Sequence, residues 1–596
     1  MDILKYPFKS NEILKNRKMI KKELLADGSR RLDKRIAVLG GSTVTDIVAV
    51  LELFLLDYGI APSFYISEYG RYWQDAMFDN PELEAFSPDL IYVHTTARNI
   101  NVPFPRMADS AETIETALET QMNHFTSMWE SLRRRYHCPM IQNNFEMPYF
   151  RLLGNQDVSN PHGRTNFIAR LNMKFNEYAQ QHTDFYIHDI QYLSSVYGLE
   201  KWSDPLYWYL YKYALCVPAI PEFAFNLANI IKSLFGKNKK AFALDLDNTL
   251  WGGVVGDDGV DGLMIGPELP AGQAFYEFQQ YLKAHKELGI LLTVCSKNDM
   301  ENAVAGLHHP DGVLRPDDFT MIQANWENKA DNLSKIAAAL NILPESIVFV
   351  DDNPAEREIV RSFLPDAAVP DPGNIEDSIR ILNRSGFFEL TTFSEDDLKR
   401  GEMYQANMKR LQEQQQFADY ADYLVSLRMK ARIHAFESIY LQRITQLVNK
   451  SNQFNLTTRR YTEAEIQQIS RDSGYIDLYG KLIDKFGDNG VVSVIIGRID
   501  GTVLHVELWM MSCRVLKRDM EFAMLDALAE VCMGKGILQI RGYYYPTAKN
   551  GMVKDLYSVF GFQKVREEPD GSTVWQLDLN GYQKRNHVIT IEKENS

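Results

Sequence analysis

The chain has 596 residues, of which 45% are hydrophobic and 24% charged, as is ordinary for a protein with several folded domains. Its formal net charge of −15 argues against a nucleic-acid-binding surface, which needs a basic stripe. No apolar run is long enough to span a bilayer, and the N-terminus lacks the apolar segment of a signal peptide. The five scattered cysteines fit neither a disulfide framework nor a zinc site, so we expect a cytoplasmic protein.

The first part of the sequence predicts a helical arm followed by a parallel α/β domain. Residues 1–34 mix Lys, Arg and Glu with sparse Leu and Ile, which favours an exposed helix or a docking arm. The domain predicted over residues 35–235 alternates strands and helices, in the order strand 34–43, helix 46–56, strand 90–94, helix 111–135 and strand 139–144. Such alternation is typical of a parallel sheet.

Ser42 follows two glycines at the end of the first strand, and Asn144 ends a later strand. These residues resemble the SGNH hydrolase fold, which implies a serine nucleophile at Ser42 and an acid with a histidine late in the domain. Asp204 matches the acid, but Tyr207 stands where the histidine is expected. Because tyrosine has a pKa of about 10, it is a poor base at neutral pH. We therefore expect recognition or scaffolding here rather than esterase activity.

A polar linker opens a second domain, predicted over residues 236–385. A short apolar strand at residues 242–244 delivers Asp245 and Asp247 to its carboxyl end, where open α/β sheets bind ligands. Because side chains alternate along a strand, both carboxylates leave the same face. Two anions so close repel each other unless a cation lies between them, and Mg²⁺ prefers carboxylate oxygens. The pattern therefore predicts a Mg²⁺ site.

Later elements of this domain carry residues suited to the same chemistry. One apolar strand ends at Ser296, another ends at Asp351 and Asp352, and Lys329 begins an amphipathic helix between them. A nucleophile, a hydroxyl, an ammonium and a second acid pair thus stand at element ends in an order suited to phosphoryl transfer. The Asp-x-Asp-x-Thr pattern alone would be weak, because exposed Asp pairs are common in turns.

Longer motifs resemble the haloacid dehalogenase (HAD) superfamily and, within it, the FkbH-like branch. They are Leu-Asp-Asn-Thr-Leu-Trp-Gly-Gly at 246–253, Val-Cys-Ser-Lys-Asn at 294–298, Phe-Val-Asp-Asp-Asn-Pro at 349–354, and the stretch 446–459. Members of that branch are glyceryltransferase/phosphatases that load a three-carbon unit from 1,3-bisphosphoglycerate onto an acyl carrier protein. The resemblance therefore implies a phosphorylated small-molecule donor and a carrier-protein partner.

The resemblance also implies roles for individual residues. Asp245 corresponds to the nucleophile, Asp247 to the general acid/base, and Ser296 and Lys329 to the phosphate-binding residues. We assign further substrate contacts to Asn248, Thr249, Lys297 and Asn298. We assign Mg²⁺ ligation to Asp245, Asp247, Asp351 and Asp352. Between Asp245 and Ser296 a helix predicted over 271–288 takes up much of the chain, which leaves no room for a large cap over the site.

A carrier protein is itself acidic, so docking to this acidic chain would require a local basic patch. The basic clusters in the sequence are Arg133–Arg135, Lys237 with Lys239–Lys240, and Arg459–Arg460. We interpret each of them as an ordinary solvated surface rather than a docking patch.

The remainder of the chain predicts a connecting helical segment over residues 386–434 and a last α/β domain over residues 435–596. Its predicted elements are strands 490–497, 502–510 and 537–541 and a helix over 520–533. With Tyr-x-x-x-Gly-Phe at 557–562, this region resembles the GNAT acyltransferase fold. GNAT enzymes hold CoA on a glycine-containing loop, but here Lys517 and Asp519 replace both glycines after Arg514. We therefore expect no binding of free CoA, although a slot for a pantetheine arm remains.

Glyceryl transfer would need a thiol, and two cysteines are candidates. Cys295 adjoins Ser296 at a strand end, and Cys513 precedes the altered loop. We favour Cys295 for its proximity, although neighbouring strand residues face opposite ways. The alternative functions are a plain HAD phosphatase acting on a small phosphorylated metabolite and a non-catalytic scaffold that docks carriers. The predicted fold class is α/β, with an SGNH-like parallel sheet, an HAD Rossmann-like core without a large cap and a GNAT-like mixed domain.

Overall fold

The structure, a computed structural model, describes residues 1–29, 31–393, 398–451, 453–547 and 549–592, without the side chains of Gln412, Lys450 and Cys513. The chain forms two compact units, Met1–Leu234 and Phe235–Ser596. None of the described helices is long and apolar enough to cross a membrane.

The first unit is built on a parallel sheet, as predicted. Its strands are β1 (Leu32–Gly40), β2 (Ile60–Ile66), β3 (Leu90–His94), β4 (Met140–Asn143) and β5 (Phe185–His188). They pair in the order β2-β1-β3-β4-β5, and every pair is parallel. The order reverses between β1 and β3, and open α/β sheets bind ligands at the carboxyl ends of the strands beside such a reversal.

Helices surround this sheet. They are α1 (Ser10–Ala26), α2 (Thr45–Asp57), α3 (Tyr72–Met77), α4 (Pro81–Phe86), α5 (Ala111–Tyr136), α6 (Arg164–Gln181), α7 (Ile190–Tyr197), α8 (Leu199–Trp202), α9 (Pro205–Tyr211) and α10 (Ile220–Leu234). The long amphipathic helix α5 packs Phe125 and Trp129 into the core against Phe175 of α6. The helical spacing of these apolar residues explains why the sequence predicted α5 correctly.

Helix α1 belongs to this unit and is not a free arm. Its residues Ile13 and Ile20 are fully buried, and Lys21 Nζ lies 2.7 Å from Glu52 Oε2 on α2. Arg17 on the same helix pairs with Asp46. The sequence predicted an exposed helix or a docking arm. The helix is present, but it is not exposed, because the Leu and Ile residues at helical spacing form a buried stripe.

The second unit begins with another parallel sheet. Its strands are β6 (Ala241–Leu244), β7 (Leu291–Ser296), β8 (Met321–Ala324) and β9 (Ile347–Val350), in the order β8-β7-β6-β9. Its helices are α11 (Val255–Asp258), α12 (Pro270–Glu287), α13 (Met300–Leu307), α14 (Lys329–Ala339), α15 (Pro354–Phe363) and α16 (Ile375–Arg384). Leu244 pairs with both Val294 and Val350, so the carboxyl ends of three strands meet at one edge.

Every residue of the segment between β6 and β7 is described, and it contains only a few elements. It contains helix α11, a 3-10 turn at Val260–Gly262 and helix α12, which packs on the sheet through Phe278 and Leu282. The edge of the sheet therefore has no large cap domain over it, as the sequence predicted.

The C-terminal part of this unit holds a long mixed sheet. Its strands are β10 (Lys430–His434), β11 (Tyr475–Asp484), β12 (Gly487–Asp500), β13 (Val503–Met511), β14 (Gln539–Tyr544), β15 (Gln563–Glu567), β16 (Thr573–Asp578) and β17 (Thr590–Ile591), in the order β15-β16-β14-β13-β12-β11-β10-β17. Its helices are α17 (Arg400–Gln414), α18 (Tyr420–Ser426), α19 (Leu441–Lys450), α20 (Glu463–Ile469), α21 (Met520–Gly534) and α22 (Leu556–Val559). The connecting helical segment predicted over 386–434 thus contains the helices α17 and α18 and ends in strand β10, and residues 394–397 lie outside the described chain.

Strands β13 and β14 pair in parallel only from Val503 to His505 and then diverge. The chain's own residues 454–456 occupy the opening between them. Leu456 N donates to Trp509 O at 3.1 Å on β13, and Tyr545 N, just after β14, donates to Leu456 O at 2.9 Å. The backbone groups of β13 and of the end of β14 that border this opening are therefore bonded to the segment 454–456.

Candidate active site

The residues that follow β6 and β9 meet around one lysine. Lys329 Nζ, at the start of α14, lies 3.0 Å from Asp245 Oδ1 and 2.5 Å from Asp351 Oδ2. Lys329 is 2% exposed and Asp351 is fully buried. The acids and the ammonium that the sequence placed at separate element ends are thus direct neighbours. The buried charges require mutual compensation, because an isolated ion in this setting would be strongly destabilising.

Three carboxylates at this edge could hold a metal ion. One oxygen from each of Asp245, Asp351 and Asp352 lies within 4.8 Å of the other two. Oxygen donors of this kind suit a hard divalent cation such as Mg²⁺. With one lysine against three carboxylates, the group retains negative charge that a cation would neutralise.

The pKa values of these groups reflect their crowding. Burial, and then repulsion by Asp245, raises the pKa of Asp351 and of Asp352 above their ordinary values. Burial alone would lower the pKa of Lys329, but attraction by Asp245 and Asp351 raises it instead, so the ammonium stays charged. A bound cation would stabilise the ionised carboxylates and so lower these raised pKa values.

Arg357 holds the backbone of Asp351 and Asp352 in place, and no prediction from the sequence included it. Its Nη1 donates to the carbonyl oxygens of Asp351 and Asp352 at 2.8 and 2.7 Å, and the side chain is only 6% exposed. The backbone N of Asn353 donates to Asp351 Oδ1 at 2.8 Å. The only sequence signal for Arg357 was its place one turn into the helix after the Asp-Asp-Asn-Pro turn.

Asp247 lies apart from the carboxylates that could share an ion. Its Oδ1 accepts from Trp251 Nε1 at 2.9 Å and from Val255 N at 3.1 Å, and its Oδ2 accepts from Asn298 Nδ2 at 2.9 Å. These donors hold the side chain away from the group formed by the other three acids. The structure therefore does not place the Asp247 carboxylate as the metal ligand that the sequence predicted.

Two residues predicted to contact substrate instead shape the turn after β6. Asn248 adopts a left-handed φ of 55°, and its Oδ1 accepts from Gly253 N at 3.0 Å. Thr249 Oγ1 accepts from Asp352 N at 3.2 Å, which ties this turn to the end of β9. Thr249 Oγ1 also donates to Asp352 Oδ1 at 3.4 Å, so it contacts one of the three acids that could hold a metal ion.

Of the residues at the end of β7, Ser296 lies at the site, while Lys297 and Asn298 are bonded to other side chains of the chain. Ser296 ends the strand and is 2% exposed, beside the turn that follows β6. Lys297 Nζ lies 2.7 Å from Glu356 Oε1, so its charge is neutralised within the chain. Asn298 serves Asp247, as described above. Lys329 is therefore the cation that faces the carboxylate group, while Lys297 is committed elsewhere.

Cys295 does not face the site. It is fully buried in an apolar cluster with Leu333 and Ile336 of α14, and its Sγ lies 3.6 Å from the carbonyl oxygen of Lys329. Burial raises the pKa of the thiol to about 12, so the reactive thiolate is scarcely populated. The preference for Cys295 as the acyl-carrying thiol is therefore wrong, and the reason is the alternation of side chains along β7. The side chain of Cys513 lies outside the described residues.

In the first unit, the predicted serine site lacks its partners. The Ser42 hydroxyl is buried, and no described residue hydrogen-bonds to it. Asp204 Oδ1 instead caps α9 by accepting from Leu206 N at 2.9 Å. Asn144 Nδ2 donates to Asp189 Oδ1 at 2.7 Å. None of these contacts would activate a nucleophile.

Two histidines at the strand ends of this sheet were not singled out in the sequence. The Nδ1 atoms of His94 and His188 lie 3.1 Å from the side-chain amide of Asn143. Burial lowers the pKa of both imidazoles to about 3, so both are neutral. Neither is hydrogen-bonded to Ser42, and they form part of a buried polar network under α10.

The loop predicted to replace a phosphate-binding turn keeps an unusual backbone. Lys517 and Asp519 have φ values of 62° and 59°, in the left-handed region that favours glycine. Arg518 is turned inward to Asp484 Oδ2 at 3.2 Å, and Arg514 is buried against Met403. The arginines near this loop are therefore used for packing onto α17 and β11, which leaves Asp519 to repel a phosphate.

The basic clusters considered for carrier docking are largely committed within the chain. Arg133 pairs with Asp184 at 2.9 Å, and Arg459 Nη1 lies 2.5 Å from Glu507 Oε2. Lys239 Nζ donates to the carbonyl oxygen of Glu345 at 2.6 Å. Arg133 and Arg459 are therefore neutralised by acids of the chain, whereas Lys239 keeps its positive charge because the carbonyl to which it donates is neutral.

Comparison with known proteins supports two parts of this description. Residues 35–232 match the family model of the FkbH N-terminal domain. The N-terminal part of the protein BF1531 from Bacteroides fragilis, which contains a phosphatase domain and was crystallised with Mg, is 27% identical and covers 64% of this chain and 99% of its own, with a TM-score of 0.59. These findings confirm the resemblance to FkbH-like and HAD phosphatase proteins.

Acetyltransferases are similar to a smaller part of the chain. The ribosomal-protein-S18-alanine N-acetyltransferase from Escherichia coli is 12% identical and covers 26% of this chain and 99% of its own, with a TM-score of 0.21. Ard1 from Thermoplasma volcanium is 16% identical and covers 25% of this chain and 97% of its own, with a TM-score of 0.21. No curated protein matched the chain in sequence.

Proposed function

We propose that the chain is a Mg²⁺-dependent HAD-type phosphatase that works through an aspartyl phosphate on Asp245. The observation that carries the proposal is the set of carboxylates of Asp245, Asp351 and Asp352 within 4.8 Å of one another, with Lys329 Nζ 3.0 Å from Asp245. These residues fit a Mg²⁺ ion, which when bound would neutralise charge on the transferring phosphoryl group. The similarity to the BF1531 phosphatase domain supports the same assignment.

The residues would act in two half-reactions. Asp245 Oδ attacks phosphorus while the bond from phosphorus to the leaving oxygen breaks, and Asp247 gives its proton to that oxygen. Asp247 then takes a proton from water as the water oxygen bonds to phosphorus and the bond from phosphorus to Asp245 breaks. Lys329 and Ser296 stabilise the equatorial phosphoryl oxygens in both steps. Inorganic phosphate leaves and the starting carboxylates are restored.

The finer proposal, that the protein also transfers a glyceryl unit to an acyl carrier protein, rests on the FkbH-like resemblance. Attack by Asp245 on an acyl phosphate would break the bond from phosphorus to oxygen and release a carboxylate, which destroys the activation that transfer needs. Transfer from 1,3-bisphosphoglycerate therefore requires Asp245 to act on the phosphate ester, while a thiol attacks the acyl carbon. Since Cys295 is buried away from the site, that thiol would belong to another cysteine of the chain, such as Cys513, or to the pantetheine of the carrier itself.

The test measures phosphate release by the full-length protein from a panel of phosphate esters, with Mg²⁺ or with a chelator. We expect activity only with Mg²⁺, and a loss of at least about 1000-fold in Asp245→Asn, which keeps the shape but removes the anionic nucleophile. Asp257→Asn, on the exposed α11, is the matched control and should retain activity. Activity in Asp245→Asn within about tenfold of wild type, or full activity in chelator, would contradict the proposal.

Transfer is tested separately, by incubation with 1,3-bisphosphoglycerate and intact-mass analysis. A glyceryl adduct that hydroxylamine removes would support a thioester on the chain, because that nucleophile cleaves thioesters and leaves amides. The adduct should persist in Cys295→Ala. Phosphate release with no adduct and no loading of an added carrier would favour the plain phosphatase.

A further inference from the structure

Three donors from separate elements hold the carboxylate of Asp247. Its Oδ1 accepts two N–H groups, from Trp251 Nε1 at 2.9 Å and from the backbone of Val255 at 3.1 Å. Its Oδ2 accepts one, from Asn298 Nδ2 at 2.9 Å. Trp251 comes from the turn after β6, Val255 begins α11, and Asn298 lies two residues beyond β7. Both oxygens therefore have fixed partners within the chain.

The two side-chain donors are themselves immobile. Trp251 is 1% exposed, and Gly306 of α13 passes so close that a Cβ there would stand 2.8 Å from the indole ring. Asn298 is 4% exposed, and its Oδ1 accepts from Asp299 N at 2.9 Å, which orients its amide group toward Asp247. Neither donor can turn away without disrupting packing, so the orientation of the carboxylate is set before substrate binds.

We propose that Trp251 and Asn298 are positioning residues for proton transfer by Asp247, and that Oδ2 carries the transferred proton. The inference rests on the proposed phosphatase function. A carboxylate oxygen has two lone-pair directions, and both directions on Oδ1 are taken by N–H donors. Oδ2 accepts only one donor, which leaves one position for a proton.

This assignment defines the path of the proton. As the bond from phosphorus to the leaving oxygen breaks, the Oδ2 proton moves to that oxygen while Asp245 bonds to phosphorus. In the second half-reaction Oδ2 receives a proton from water, whose oxygen bonds to phosphorus as Asp245 is released. A carboxylate that rotated freely would present either oxygen at random, and part of the advantage of a pre-oriented group would be lost.

The chain supplies a matched control for the indole donor. Trp326 Nε1 donates to Asp299 Oδ1 at 3.0 Å, so it too links a tryptophan to an aspartate. It is 70% exposed and makes no bond to Asp245, Asp247 or Asp351. Trp326→Phe therefore removes the same kind of hydrogen bond without touching the acid/base.

The experiment compares full-length wild type, Trp251→Phe, Asn298→Ala and Trp326→Phe on substituted phenyl phosphates, from p-nitrophenyl to p-methoxyphenyl phosphate. Assistance by an acid matters more as the leaving oxygen becomes more basic. We therefore expect kcat/KM to fall about tenfold or more for p-methoxyphenyl phosphate and less than about threefold for p-nitrophenyl phosphate in both positioning variants. The Mg²⁺ concentration for half-maximal activity should stay unchanged in them, and Trp326→Phe should match wild type throughout.

Each other outcome decides against the inference. Equal losses across the series would mean that Trp251 and Asn298 support the fold alone, and no loss would mean that they have no part in the reaction. Should Trp251→Phe fail to fold, Asn298→Ala, on a different element, carries the comparison alone. A wild type whose activity does not depend on Asp245 would overturn the proposed function and this inference with it, and that result is recognised before any positioning variant is measured.

Discussion

The carboxyl ends of β1 and of β6 carry similar sequence signals, a short apolar strand followed by polar residues and glycines. At β6 the structure sets Asp245 against Lys329 and near Asp351, with more negative than positive charge in the group. At β1 the Ser42 hydroxyl is buried with no partner among the described residues, and the acid predicted to serve it, Asp204, caps a helix.

The contrast shows that position at a strand end is not sufficient to make a site. What distinguishes the two ends is whether charged side chains remain available after the chain has satisfied its own groups. By the same criterion, Lys297, which was predicted to contact substrate, is neutralised by Glu356, and Arg518 is neutralised by Asp484. At β6 the charged side chains face one another, which is the arrangement expected of a catalytic edge.

The largest effect expected from this comparison is at Asp351. Asp351→Asn removes one of the three carboxylates that could hold Mg²⁺, so phosphate release should fall by about 100-fold or more. Asp371→Asn is the matched control, because Asp371 is an exposed acid that pairs with Arg357 on the far side of the same turn. Its activity should stay within about threefold of wild type, since exposed ion pairs contribute little. Equal losses in the two variants would mean that the edge is not a metal site.

A second effect separates catalysis from metal binding at Lys329. Lys329→Met removes the ammonium that lies 3.0 Å from Asp245 and 2.5 Å from Asp351, so activity should fall about 100-fold. The freed carboxylates should bind Mg²⁺ more tightly, with about a tenfold lower dissociation constant by calorimetry. Lys335→Met, on the same helix but paired with exposed Glu327, should change neither quantity. Weaker Mg²⁺ binding in Lys329→Met would contradict the described charge arrangement.

Much of this site could be predicted from the sequence, because each acid follows an uninterrupted apolar strand. The rule that parallel strands align their carboxyl ends was enough to bring Asp245 and Asp351 together. The roles of Trp251 and Arg357 could not be predicted, because they depend on the direction in which a long side chain points. Trp251 points to Asp247, and Arg357 points to the carbonyl oxygens of Asp351 and Asp352. Lys297 was misassigned because Glu356, which neutralises it, is distant in sequence and lies on a different helix.

A smaller effect concerns Cys295, for which the structure leaves no chemical role. Cys295→Ala should keep kcat and KM within about twofold and lower the free energy of unfolding by about 1–2 kcal/mol, because a small cavity replaces Sγ. Cys532→Ala, fully buried in the C-terminal core, provides the control with a comparable loss of stability and unchanged activity. Denaturant unfolding and phosphate release measure both. A loss of activity confined to Cys295→Ala would restore this thiol to the mechanism.

The smallest effect is expected at Ser42, which follows β1 in the first unit. Ser42→Ala should leave any turnover of short acyl esters unchanged, since no base is in place to activate the hydroxyl. Because the hydroxyl is buried without a partner, its removal should be neutral or stabilise the protein by up to about 1 kcal/mol. A clear fall in ester turnover would show that a base reaches Ser42, and the first unit would then need reassignment as an esterase.

In the C-terminal region, the sequence predicted several strands but not the contacts of the segment 454–456 with them. The spacing of its apolar residues predicted several of its strands, and Lys517 and Asp519 both adopt the left-handed backbone that favours glycine. No local signal revealed that Leu456 bridges β13 and the end of β14, because that contact joins segments far apart in the chain. A strand-like segment that fills a gap between other strands is set by tertiary pairing, which periodicity cannot report.

The central claim, that Asp245 carries the phosphoryl group, is tested most directly by reductive trapping. Full-length protein turning over a phosphate ester with Mg²⁺ is quenched with borohydride, which reduces an aspartyl phosphate to homoserine, and the peptides are sequenced by mass spectrometry. Homoserine at position 245, absent when substrate or Mg²⁺ is omitted and absent in Asp245→Asn, is the predicted result. Continued phosphate release with homoserine at another aspartate, or with no reduction product under conditions that trap a known phosphoaspartate enzyme, would contradict it.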